Sequence, residues 1–79
     1  MDPREAFEKA SERSIAADIA VDRCRGDLAR LGHLTAPYIV RSHEEALREA
    51  RAHAVRAAIE ADEAAKAVRE AERLPIWWA

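Results

Sequence analysis

The stretch FEKASERSIAADIAVDRCRGDLARL, residues 7–31, decides the fold of this chain. Small and apolar side chains recur through it at alternating steps of three and four residues. They are Phe7, Ala10, Ser14, Ala17, Val21, Cys24, Leu28 and Leu31. Because an α-helix has about 3.6 residues per turn, this spacing keeps one face of a helix turned toward a partner helix. We call this face the seam, and it predicts one long helix.

A second seam with the same spacing follows later in the chain. It is formed by Leu47, Ala50, Ala54, Ala57, Ala61, Ala64, Val68 and Ala71. Two helices of similar length joined by a short connection favour an antiparallel hairpin. Pairing them about the connection places residues whose numbers add up to about 74 at equal height.

Local signals indicate where the two helices begin and end. Asp2, Pro3 and Glu5 are typical of a helix start, and Gly32 is expected to end the first helix in the left-handed conformation. The sequence Ser42-His43-Glu44-Glu45 has the form of a capping box, which predicts a second helix start. We predict a single domain, residues 1–79, with a helix over about 3–31, a connection over 32–42 that holds a short helix at 36–41, a helix over about 43–74, and a tail over 75–79.

A second, shorter set of apolar side chains lies off the seam. It consists of Ile15 and Ile19 on the first helix and Val55 and Ile59 on the second. Equal-height pairing brings Ile19 level with Val55, and Ile15 level with Ile59. A lone two-helix hairpin buries one face of each helix, so a second apolar set predicts packing against another subunit.

The tail ends in Trp77 and Trp78, and two adjacent tryptophans are unusual in solvent. We expect them to pack across the open end of the bundle or onto a neighbouring subunit. The alternative is a contact for an outside partner, because tryptophan is enriched at binding hot spots.

Composition limits how much core this chain can build. Hydrophobic residues make up 49% of the 79 residues, but 19 of them are alanine, which buries little area. A chain this short sits near the size at which a single core is marginal. Self-association would supply the missing burial.

Charge and hydropathy argue against nucleic-acid and membrane functions. The net charge is −2, and most arginines have acidic neighbours one helical turn away, which disfavours DNA or RNA binding. No run approaches the roughly 20 apolar residues of a membrane span. The charged N-terminus does not resemble a signal peptide. We therefore expect a cytoplasmic or recombinant soluble protein without a targeting signal.

Six residues are candidates for sites of chemistry, and His43, His53 and Glu49 are the best metal candidates among them. Glu49 and His53 lie one helical turn apart, and Asp22 lies near the height of His53, but a solvated pair fits this spacing better than a metal site. Asp18 and Asp22 favour a salt bridge at an interface over acid–base catalysis. Cys24 falls on the seam, which favours a small buried side chain over a reactive thiol.

The residue composition and patterning of the chain resemble those of computationally designed helical proteins. The resemblance is carried by Asp-Pro-Arg-Glu-Ala at residues 2–6, by Ser-His-Glu-Glu-Ala-Leu-Arg-Glu-Ala-Arg-Ala-His-Ala at 42–54, and by Ala-Asp-Glu-Ala-Ala-Lys-Ala-Val-Arg-Glu-Ala-Glu-Arg at 61–73. Capping boxes and strong helix formers are typical of such designs. The resemblance implies a de novo bundle or symmetric homo-oligomer without natural activity.

Taken together, the patterns predict an all-α antiparallel hairpin that associates into a homo-oligomeric helical bundle. Its function is expected to be structural self-assembly, with no enzyme activity, metal or cofactor. The residues expected to carry association are Ile15, Ile19, Val55, Ile59, Trp77 and Trp78. The alternatives are a helical module that binds a foreign protein or small molecule and, less favoured, a metal- or haem-binding bundle.

Overall fold

Two long helices form the structure, a computed structural model that describes residues 2–73. Helix α1 spans Pro3–Ala29 and helix α2 spans Pro37–Arg73. The two helices pack against each other along their length, and no strand occurs among the described residues. The prediction of an all-α hairpin is confirmed.

Two ion pairs between the helices show their antiparallel register. Arg4 pairs with Glu72 near the open end, and Arg13 pairs with Glu60 at 3.9 Å. The residue numbers of these pairs add up to 76 and 73, close to the predicted 74. All four side chains are more than half exposed, so each pair contributes about 1 kcal/mol at most. They report the register, and packing along the seam stabilises it.

The seam carries the burial of the hairpin, as the spacing predicts. Ala10, Ala17, Leu47 and Ala57 are the buried hydrophobic residues of the described chain. Most other seam positions, from Ser14 to Val68, are half-buried. Burial fades toward the open end, where Phe7 and Ala71 are exposed.

Helix α2 begins at Pro37, six residues before the predicted start at His43. The short helix predicted at 36–41 and the long helix predicted from 43 are one continuous helix of 37 residues. The reason is the seam, because Val40 and His43 continue its steps of four and three back from Leu47 and are themselves half-buried. Tertiary packing along that face outweighs the local capping signal at Ser42.

The predicted C-cap at Gly32 is also wrong. Helix α1 ends at Ala29, and the next residue, Arg30, keeps right-handed helical backbone angles. Its N–H donates to the Gly26 carbonyl at 3.1 Å, and the Leu31 N–H donates to the Leu28 carbonyl at 3.2 Å. One ordinary helical bond and one tightened bond thus satisfy the carbonyls of Gly26 and Leu28, and no glycine of the described chain has a positive φ.

The N-terminus of α1 matches its prediction in part. Pro3 occupies the first turn and Asp2 has the extended backbone of an N-cap residue. The Asp2 carbonyl accepts the first helical bond from the Ala6 N–H at 2.9 Å, but its side chain makes no capping hydrogen bond.

Substitution of Ser42 by alanine tests the continuity of α2. An N-cap serine contributes about 1 kcal/mol, which alanine would remove. An exposed serine inside a helix is instead a poorer helix former than alanine by a few tenths of a kcal/mol. We expect the S42A variant to melt at the same temperature as the parent or slightly above it. A clear fall in thermal stability would contradict the continuous helix.

The hairpin is long and thin. Its principal extents are 69 × 17 × 14 Å and its radius of gyration is 18.8 Å, against about 12 Å for a compact globule of this length. No large side chain among the described residues is fully buried. The fold therefore presents most of both helices to the outside.

Candidate functional site

Two exposed apolar patches lie at the middle of the hairpin. The α1 patch is Ile15 and Ile19, and the α2 patch is Val55 and Ile59. Their exposed fractions run from 47% to 61%, so the hairpin leaves about half of each side chain in solvent. The structure thus places all four off-seam residues on the surface, and the register that the ion pairs report puts the two patches at one height.

Helical geometry places the patches on the outer sides of the hairpin. Ile15 follows the seam residue Ser14 by one position, and Val55 follows Ala54 in the same way. One residue turns about 100° around a helix, and Ile19 and Ile59 lie further round still. Each patch therefore faces away from the partner helix, and the hairpin has two separate apolar edges.

A shallow groove of about 370 Å³ extends the α1 patch toward the connection. All of its walls come from α1, so it is an outward-facing surface of that helix. Its lining residues are Ile19, Asp22, Arg23, Gly26, Asp27 and Arg30. Gly26 forms the floor, because the absence of a side chain there leaves a gap one turn beyond Asp22.

A second groove of about 350 Å³ lies between the two helices near the connection. It is lined by Leu28, Glu44, Leu47, Arg48 and Arg51. Two guanidinium groups beside one carboxylate give it a mildly basic rim. Its apolar floor belongs to the seam, which accounts for its shape without a ligand.

Charged groups around the α1 patch are unpaired within the hairpin. Asp18, Asp22, Arg23 and Arg25 take part in no ion pair among residues 2–73. On α2, Asp62 beside the patch pairs with Lys66 at 3.4 Å, whereas Arg56 takes part in no ion pair among residues 2–73. The charged side chains around the α1 patch are therefore free of ion pairs within the described hairpin.

The residues weighed for chemistry are not brought together. No group of three His, Cys, Asp or Glu side chains within reach of one metal ion occurs in the described part of the chain. His53 is exposed and Cys24 is half-buried at the seam. Asp18 and Asp22 are both exposed, and neither lies in an enclosed cavity.

Two exposed apolar residues near the connection are not among the residues predicted to carry association. Leu34 is 90% exposed, and Tyr38 points largely into solvent in the first turn of α2. Tyr38 lies seven residues, or about two helical turns, before the exposed Glu45 and therefore on the same face of α2, off the seam. This position was the signal in the sequence that Tyr38 would be exposed. The predicted interface residues Trp77 and Trp78 lie outside the described residues.

Neither described helix is long and apolar enough to cross a membrane. Comparison of the chain with protein-family models, with curated proteins and with solved structures finds no match.

Proposed function

We propose that this protein is a structural module that assembles with copies of itself through its exposed apolar patches. The observation that carries the proposal is that the hairpin buries few large side chains, while its two apolar edges contact nothing within the hairpin. Among residues 2–73, three of the four buried residues are alanine, while Ile15, Ile19, Val55 and Ile59 stay about half exposed. Packing against further helices would bury these side chains and stabilise the hairpin at the same time.

The size of the patches sets the expected strength of assembly. Burying the exposed half of one Ile or Val contributes about 1 kcal/mol. A contact that buries one patch from each of two copies therefore gains about 4 kcal/mol, near the lower limit of what association costs. Stable assembly thus requires both patches, and the predicted contacts of Trp77 and Trp78 would strengthen it.

A binding module for a foreign protein or small molecule is the second candidate. The exposed Leu34 and Tyr38 favour it, because they add apolar surface at the tip of the hairpin, away from the two patches. Catalysis, metal binding and haem binding have no comparable support. The designed origin that the sequence resemblance implies stays a prediction.

Absolute mass in solution tests the proposal directly. Light scattering behind a sizing column, repeated across a dilution series, is expected to give a multiple of 8.8 kDa that dissociates on dilution. Elution volume alone would mislead, because a monomer 69 Å long elutes early. A helical monomer at every concentration would contradict self-assembly and favour the foreign-partner candidate.

A further inference from the structure

Gly26 is a glycine inside a helix that nothing in the hairpin requires. It lies three residues before the end of α1 at Ala29, and its φ is not positive. A Cβ atom built there would meet only the far end of the Arg30 side chain, at 3.7 Å or more. A glycine inside a helix costs about 1 kcal/mol relative to alanine. The hairpin thus carries this cost without using the space that the glycine leaves.

We propose that Gly26 forms the site that receives Ile15 of a second copy in an antiparallel α1–α1 contact between two copies of this chain. The inference rests on the proposed self-assembly and names the surface and orientation of one contact in it. Ile15, Ile19, Asp22 and Gly26 follow one another at steps of four, three and four along one face of α1. A glycine on such a face lets a second helix approach closely.

The register of the contact follows from fitting the patch of one copy to the groove of the other. When two α1 helices run antiparallel about a two-fold axis between Ala20 and Val21, residues whose numbers add up to 41 lie level. Ile15 of one copy then enters the groove over Gly26 of the second copy, and Ile19 lies level with Asp22 of the second copy. Asp22 lies about 40° from the centre of the face formed by Ile15, Ile19 and Gly26, on the side of Asp18, so its carboxylate reaches solvent at that edge of the contact. Both isoleucines of the α1 patch lose their solvent contact in this arrangement.

Charge complementarity favours the antiparallel direction. Asp18 and Arg25 lie seven residues, or about two turns, apart on the same flank of α1. An antiparallel contact brings Asp18 within about two residues of the level of Arg25 of the second copy, within reach of an arginine side chain. In a parallel contact the flanks that carry Asp18 and Arg25 in the two copies would lie on opposite sides of the interface, and this charge pairing would be lost. Neither side chain has an ion pair within residues 2–73.

Substitution of Gly26 by leucine separates the contact from the stability of the helix. Leucine is a better helix former than glycine, and the groove leaves room for it, so the helix of the G26L variant should not weaken. In the assembly the leucine occupies the space that Ile15 of the second copy needs. We expect the concentration at which the assembly dissociates to rise at least 100-fold, with helix content by circular dichroism unchanged.

The matched control is A20L, an exposed position one residue and about 100° beyond Ile19. It adds the same side chain away from the patch and is expected to assemble like the parent. Assembly of G26L at the parental concentration would overturn the proposed role of Gly26. If the parent chain proves to be a monomer, both this contact and the proposed function fail. If charges in the patch disrupt assembly but G26L does not, only the α1–α1 contact fails.

A charge swap tests the direction of the contact. D18R and R25D alone each place like charges across the two-fold axis and are expected to weaken assembly at low salt. The double variant D18R/R25D exchanges the partners and is expected to restore assembly to within a few-fold of the parent. Rescue is expected only if Asp18 of one copy lies beside Arg25 of the second copy. A double variant that does not recover would therefore exclude this antiparallel pairing.

Discussion

The double variant I19E/V55E is expected to exist as a folded monomer at concentrations where the parent assembles. Each substitution puts a carboxylate at the centre of one apolar patch, and burying it without a partner costs several kcal/mol. Both outer edges of the hairpin are blocked at once. The dissociation constant should rise by about three orders of magnitude, which corresponds to about 4 kcal/mol.

The measurement is absolute mass by light scattering, with circular dichroism to verify that helices persist. Neither Ile19 nor Val55 lies on the seam, and both are about half exposed, so the hairpin tolerates the charges better than the assembly does. The matched control is A20E, which adds the same charge at an exposed position beside Ile19. A double variant that assembles like A20E would refute assembly through the patches.

Periodicity was the part of the sequence that predicted the fold. The seam positions fall every three or four residues over more than 20 residues in each helix, and they fix the partner face and the register together. The ion pairs Arg4–Glu72 and Arg13–Glu60 lie within two residue numbers of the predicted pairing. Because this spacing repeats over so many residues, a local exception does not change the predicted face or register.

Local end signals predicted the helix boundaries less well. Ser42 and Glu45 match a capping box, and Gly32 matches a C-cap, but α2 runs through the first and α1 ends before the second. Capping contributes about 1 kcal/mol, whereas a continued seam adds packing for every turn of helix. A capping motif inside an unbroken seam is therefore weak evidence for a helix start.

The candidate site was predictable only as far as it depends on helical periodicity. The spacing of Ile15, Ile19, Val55 and Ile59 placed them off the seam, and the structure leaves them exposed. The groove beside Gly26 could not be predicted from the spacing of residues in the sequence, since its depth depends on where the Arg30 side chain lies. Exposure of Leu34 and Tyr38 likewise depends on the path of the connection between the helices.

Truncation of the seam residue Leu47 is expected to lower the stability of the hairpin strongly, because Leu47 is the single buried side chain larger than alanine in the described chain. It is 8% exposed and shares the wall of a groove with Leu28, on the facing helix. The L47A variant is expected to lose about 2–5 kcal/mol of unfolding free energy, from lost burial and from the cavity left behind.

A loss of that size is most of the stability that a core of alanines supplies, so L47A should be largely unfolded at temperatures where the parent is helical. Thermal melts followed by circular dichroism measure this at one fixed protein concentration, because assembly makes the melting temperature depend on concentration. The matched control is L34A, since Leu34 is 90% exposed and its truncation should change the free energy by less than about 0.5 kcal/mol. Equal melting of the two variants would mean that the hairpin is held together elsewhere than at its seam, and the assembly contacts would then have to supply the stability that we assign to Leu47.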